Sequence, residues 1–220
     1  MAYSGRELRI YQGDATGTPV AGARTDGFTI ANEPIDVTDK DDDGWRTLIA
    51  DPGTRSVDMT IEGVFKSDAL LTVSAGATSA LLAEHSIKID DVAILNGDFY
   101  LNNIQLGAAQ DGEVTFSASL QSSGAAAAFL NTVAPAVTGT PTEGQTLTTT
   151  NGTWSLSATF ARQWQRNTGA GWANIAGATN LTYVLATADV GAQIRCRITA
   201  TATFGVLTVS SNEVGPVAGL

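Results

Sequence analysis

Ser56-Val57-Asp58-Met59-Thr60-Ile61-Glu62-Gly63-Val64-Phe65 decides the fold class of the first half of this chain. Val57, Met59, Ile61, Gly63 and Phe65 fall on one face. Asp58, Thr60 and Glu62 fall on the other. A period of two is the spacing of a strand with one side buried. Glu113 to Leu120 repeats it, with Val114, Phe116, Ala118 and Leu120 inward and Thr115, Ser117 and Ser119 outward. Glu7 to Gln12 alternates around Leu8 and Ile10, and Ser86 to Val92 around Ile87 and Ile89. Phe99 to Leu106 begins in phase at Phe99, Leu101 and Asn103 and then drifts. One stretch has helical spacing instead: Ala69, Leu70, Val73, Ala77, Ala80, Leu81 and Leu82, with Ser67 or Asp68 as its cap. Gly76 weakens that helix. The expectation is a mainly β domain, an antiparallel sandwich or barrel with one flanking helix.

Composition sets the outer limits. The chain has 220 residues, 43% of them hydrophobic, and a formal charge of −10. That suits one large or two small globular domains at roughly 100–150 residues each. The acidic balance argues against a protein that wraps DNA or RNA, which needs a basic face. Cys196 is the only cysteine and His85 the only histidine. An internal disulfide, a cysteine zinc site and a histidine cluster are therefore excluded. The start carries no apolar signal-peptide core, and no apolar run reaches the ~20 residues of a membrane span, so neither secretion nor membrane insertion is expected.

Charge divides the chain. Residues 1–131 hold 19 acidic and 8 basic side chains, whereas 132–220 hold 3 and 4. Two domains, 1–131 and 132–220, are expected, joined through Ser122-Ser123-Gly124 and a run of alanines read as a linker. The second half shows short strands at regular spacing: Leu147 to Thr150, Phe160 to Arg166, Thr182 to Leu185, Gln193 to Ala200 and Val206 to Ser210. Ile194, Cys196 and Ile198 alternate with Arg195, Arg197 and Thr199. This pattern suggests an Ig-like β-sandwich.

Several stretches of the second half carry a family likeness. They are Gly144-Gln145-Thr146-Leu147, Gly152-Thr153-Trp154, Gln163-Trp164-Gln165-Arg166, Ile175 to Thr179, and Ala188-Asp189-Val190-Gly191 leading to Ile194-Arg195-Cys196-Arg197. This half resembles the bacterial and phage Ig-like domains. The resemblance implies that Trp164 is the core tryptophan and that Cys196 lies near the sixth-strand cysteine position. The second strand offers no partner cysteine, so Cys196 reads as an inert buried residue.

In the first half the suggestive stretches are Ile35-Asp36-Val37-Thr38 leading to Asp43-Gly44-Trp45-Arg46, Val57 to Gly63, Phe65-Lys66-Ser67-Asp68, and Gly112 to Ser117 closing at Leu120 to Gly124. They resemble the major tail tube protein of long-tailed, siphovirus-type phages. That resemblance implies a structural virion protein, made in the host cytoplasm and built into the tail. Its subunits would form stacked homo-hexameric rings around a channel for DNA ejection. The partners implied are further copies, a tape measure protein and tail terminator and tip proteins. DNA would pass without specific binding, which suits an acidic wall better than a basic one. The Ig-like half would be an outward decoration giving weak host-surface contact.

The acidic segment Asp36 to Pro52 is the odd feature. Asp36, Asp39, Asp41, Asp42, Asp43, Trp45, Arg46, Leu48 and Ile49 combine charge with apolar side chains that a long loop seldom exposes without a partner. They are candidates for an inter-subunit or inter-ring contact. Asp39 to Gly44 also matches the opening of a calcium loop, but position twelve is Ala50 and no helices flank it, so no metal is assigned. No cofactor is implied, since neither a phosphate loop nor a dinucleotide fingerprint occurs. Catalysis is not expected. His85 has no G-x-S-x-G partner and reads as a surface or cap residue, and the paired carboxylates Asp90-Asp91 point to opposite faces. Trp154 and Trp172 follow turns and are candidate glycan contacts. Two other readings compete. One is a secreted or surface adhesin or carbohydrate-binding module with two β domains. The other is a tube protein of a contractile tail or secretion system.

Overall fold

The computed structural model describes residues 8–16, 19, 23–33, 35–36, 48, 54–64, 81–108 and 114–220. The chain divides into two units, residues 1–88 with 95–127, and residues 89–94 with 128–220. Each is built from antiparallel strands.

In the first unit the strands are β1 (Leu8–Gln12), β2 (Ala23–Glu33), β3 (Thr54–Val64), β4 (Leu82–Ile89), β5 (Ala93–Ala108) and β6 (Val114–Ser122). Their order across the sheet is β1-β4-β5-β6-β3-β2. The alternation of β3 holds from Val57 to Gly63: Val57, Met59, Ile61 and Gly63 are buried, and Thr60 and Glu62 exposed; it breaks at Val64, which is also buried, and Phe65 lies outside the described residues. In β6 Phe116, Ala118 and Leu120 are buried. Ile87, Ile94, Phe99 and Leu101 complete the apolar side. Each fully buried Ile, Leu or Met contributes about 1.5–3 kcal/mol.

Three expectations are corrected. Val114 is exposed, not inward, because it pairs with Ala108 at the end of the β5–β6 ladder. Val92 belongs to the turn between β4 and β5, where its N–H bonds the Ile89 carbonyl at 2.9 Å. The helix expected over 67–82 falls almost wholly outside the described residues. Its last two positions are not helical: Leu81 lies in a bend whose carbonyl accepts from Leu101 N–H at 2.8 Å, and Leu82 opens β4. Strand pairing takes the backbone groups that a helix would use internally. Among the described residues no α-helix occurs.

In the second unit β7 (Ala127–Val133) pairs with β10 (Thr153–Trp154). The alanine run read as a linker thus enters a strand at Ala127. Phe129, fully buried, anchors β7 against Trp154 (ring centroids 5.4 Å apart) and Phe204 (6.4 Å). Gly152, at φ +73°, lets the chain pass close to β7, for a Cβ there would sit 2.3 Å from the Val133 carbonyl oxygen.

The remaining strands form two sheets. One has the order β13 (Thr182–Val184), β9 (Thr146–Thr149), β8 (Val137–Thr138). The other has the order β12 (Trp172–Asn174), β11 (Thr159–Asn167), β14 (Gln193–Ala202), β15 (Gly205–Ser210). Val137 and Leu147 from the first sheet share one core with Trp164, Ile194, Cys196 and Ile198 from the second. The fold is therefore a β-sandwich. Trp164 and Cys196 are direct cross-strand partners. A one-turn 3₁₀ helix, Thr187–Asp189, leads into β14.

Candidate functional site

The other face of the first unit's sheet is polar, and its register sets the side chains in rows. Thr29, Asp58, Gln121 and Tyr100 form one row across β2, β3, β6 and β5. Gly27, Thr60, Ser119 and Asn103 form the next. Glu62, Ser117 and Gln105 form a third. Thr60, Glu62, Gln121, Tyr100, Asn103 and Gln105 are exposed. Hydroxyls, amides and two carboxylates make up this surface, and the rows contain no Lys or Arg. Such a face is wetted, mildly acidic and without a group that would hold a phosphate. The β5 drift seen in the sequence is a register shift between Leu101 and Asn103, which keeps Asn103 and Gln105 in the polar rows.

The candidate contact loop is described at two positions only. Asp36 and Leu48 pair in an isolated antiparallel bridge that joins the two ends of the acidic segment. Asp39, Asp41, Asp42, Asp43, Trp45, Arg46 and Ile49 lie outside the described residues, and with them the calcium-like motif. The described surface around the segment's start is unexpectedly apolar. Leu48 is 43% exposed, Ile35 45% and Ile30, on β2, 52%. β2 ends the sheet order, with β3 its one partner strand among the described residues. Sequence reasoning missed β2 and therefore Ile30.

His85 is not a surface or cap residue. It sits within β4, is 3% exposed, and packs edge-on against Phe99 with ring centroids 6.2 Å apart. Its Nδ1 contacts the Ala83 carbonyl at 2.9 Å, and its buried Nε2 has no hydrogen-bond partner among the described residues. Burial lowers its pKa against the opposing pull of that carbonyl and of Glu84. It is a core side chain of the sheet. Cys196 is fully buried, and burial pushes its thiol up. Among the described residues, no three His, Cys, Asp or Glu side chains gather as a metal site.

In the second unit Asp189 is the buried charge. It accepts from Arg166 Nε at 2.5 Å, from the Tyr183 hydroxyl at 2.7 Å and from Ala186 N–H at 2.8 Å. The two candidate glycan tryptophans are placed apart in role. Trp154 is half-buried between Phe129 and Phe160, and its Nε1 donates to the Asn151 carbonyl at 2.9 Å. Trp172 lies on the outward face of the second sheet, with the Arg195 guanidinium 4.0 Å above its ring. Arg195 Nε donates to Gln165 Oε1 at 2.8 Å, and Gln165 Nε2 donates to Asn174 Oδ1 at 2.8 Å. Burial draws the Arg195 pKa down, with Glu213 opposing and the neighbouring Arg197 adding to it.

A sequence profile described as phage tail tube protein matches residues 7–128. Among solved structures, one chain of the virion of a native gene transfer agent particle is similar at 28% identity and a TM-score of 0.51, covering 57% of this chain and 98% of that one. A chain from the tail of an empty gene transfer agent particle of C6 symmetry shows 29% identity and a TM-score of 0.49, with 57% and 98% coverage. The SPP1 tail tube shows 16% identity and a TM-score of 0.43, with 58% and 78% coverage. No curated protein sequence matches the chain.

Proposed function

The chain belongs to the phage tail tube protein family, and from that premise we propose that it polymerises into stacked rings whose axial channel carries DNA out of the virion. The observation that carries this reading is the family match over residues 7–128, the segment that holds the polar-rowed sheet. Six copies per ring is the number that the resemblance to long-tailed phage tubes implies. The rows of Thr60, Ser119 and Asn103 line the channel, where hydroxyls and amides stay hydrated and Asp58 and Glu62 repel phosphate. The edge strand β2 with Ile30, and the Asp36–Leu48 segment, meet the next subunit or the next ring. A heterologous contact of this kind closes into a ring when its rotation allows. The tape measure, terminator and tip proteins are the further partners. The work is assembly, with no catalytic step.

Residues 132–220 are the second domain, an Ig-like decoration on the tube's outside. The division of β8, β9 and β13 from β11, β12, β14 and β15, with Trp164 buried against Cys196 between them, supports that reading. Host-surface contact through this domain gains from the many copies along a tail. A reconstruction of assembled tubes, detailed enough to trace β3 and β6, tests the proposal. Thr60 and Ser119 are expected on the channel wall. Finding both on the outer surface would reverse the assignment.

A further inference from the structure

We propose that the outward face of the second unit's β12-β11-β14 sheet, centred on Trp172, Arg195 and Asn174, binds an acidic saccharide of the hexuronate type. The proposal rests on the decoration reading for its setting and gives that domain a site and a ligand class.

The platform is built before any ligand arrives. Gln165 is 5% exposed and uses its amide on both neighbours, accepting from Arg195 and donating to Asn174. The register explains why they meet: Gln165 stands opposite Asn174 on one side and opposite Arg195 on the other. Arg195 is thereby held over Trp172. Its Nε is taken, and its Nη nitrogens have no hydrogen-bond partner among the described residues. Preorganisation of this sort removes part of the ordering cost of binding.

The chemistry on offer is specific. A guanidinium with a free edge takes a carboxylate in a forked pair. Asn174 offers an exposed amide edge to sugar hydroxyls. Trp172 supplies an aromatic surface for the apolar side of a pyranose ring. Arg197, two residues along β14 and exposed on the same face, adds a second positive charge. The outward positions of β11, β12, β14 and β15 contain no Asp or Glu; Glu213, exposed just beyond β15, is the carboxylate that acts on Arg195, and Arg195 with Arg197 leaves the patch one positive charge in excess of it. Beside this face, Trp172 and Asn174 also line a cavity of about 450 Å³ along the edge strand β12, together with Arg166, Thr168 and Gly171. That volume is in the range of small-ligand sites. A protein partner would need several apolar anchors, and Trp172 is the single large apolar side chain of β11, β12 or β14 on this face.

The test uses the full-length chain passed over immobilised polygalacturonate and, separately, over the neutral glucan pullulan. Polygalacturonate is expected to bind, and pullulan at least tenfold more weakly. Trp172→Ala and Arg195→Gln are each expected to weaken polygalacturonate binding at least tenfold. Arg55→Gln, which removes one positive charge from the first unit, is expected to change it less than twofold. If Trp172→Ala lowers the melting temperature, Trp172→Phe and Arg195→Gln carry the comparison. No binding to polygalacturonate, equal binding to pullulan, or an equal loss in Arg55→Gln would overturn the proposal. So would a loss of ring assembly in Arg195→Gln, which would mean that the platform docks on the acidic domain of another copy. Electron microscopy of the same samples reads the tube reading separately. Rings without saccharide binding would defeat this proposal alone, and saccharide binding without rings would defeat the tube reading alone.

Discussion

Asp36 and Leu48 face each other across an antiparallel bridge, so the acidic segment leaves and re-enters the fold at one place. The bridge joins two positions twelve residues apart. Leu48 is exposed, as are Ile35, which precedes Asp36 in the chain, and Ile30 on β2. Exposed apolar side chains at the end of a sheet are the kind of surface that the proposed ring contact needs.

The first prediction concerns that surface. Ile30→Asp and Leu48→Asp replace exposed groups and are expected to shift folding stability by no more than about 0.5 kcal/mol. Each is expected to raise the concentration needed for assembly about tenfold, equivalent to roughly 1.4 kcal/mol at one contact. Sedimentation velocity over a concentration series, beside urea melts, separates the two effects. Unchanged assembly in both variants would remove this surface from the interface.

Stability should depend on pH through His85. Its folded pKa is lowered below the ordinary 6.5 by burial. Well above pH 6.5 the ring is neutral in both states and contributes no slope. As pH falls from 6.5 through the folded value, the unfolded chain takes up a proton that the folded chain resists, so stability declines. Urea midpoints for the first unit between pH 7.5 and 5 are expected to fall. His85→Gln is expected to flatten that decline, and an unchanged slope would contradict the assignment.

Asp189 ties together Arg166, Tyr183 and the backbone of Ala186. Asp189 is fully buried, but its partner Arg166 is 25% exposed, so losing the carboxylate chiefly leaves the Tyr183 hydroxyl and the Ala186 N–H without their acceptor. Asp189→Ala is therefore expected to destabilise the second unit by about 1–3 kcal/mol. The first unit's transition should stay in place. Denaturation followed by separate probes in the two units checks both statements.

Cys196 is expected to resist thiol reagents while the second unit is folded. It is fully buried, and burial raises its pKa, so little thiolate is present at neutral pH. Labelling by a chromogenic disulfide should follow unfolding, rising together with urea. Rapid labelling of the native chain would show that the sandwich opens at β14.

Legibility in the sequence followed strand length and one-sided burial. β3 and β6 carry four and three inward apolar positions at strict spacing, and β14 repeats Ile194, Cys196 and Ile198, so the period alone located them. β2 was missed because Gly27 and Asn32 interrupt its pattern. Its place is set by the ladder it makes with β3. β8, β10 and β12 are two or three residues long, below any period. The drift of β5 was visible, but its cause, the shift between Leu101 and Asn103, depends on pairing with β6. The same holds for the sites. Trp172, Arg195 and Gln165 were each conspicuous, but their meeting follows from a cross-strand register that the sequence does not contain. The polar rows likewise exist only once four strands are aligned.

Negative-stain electron microscopy of the purified full-length chain across a concentration series tests the central claim most directly. The account expects rings that stack into tubes of constant diameter, with a stain-filled axial hole and regular projections on the outside. Small particles at every concentration, or filaments without an axial hole, would contradict it.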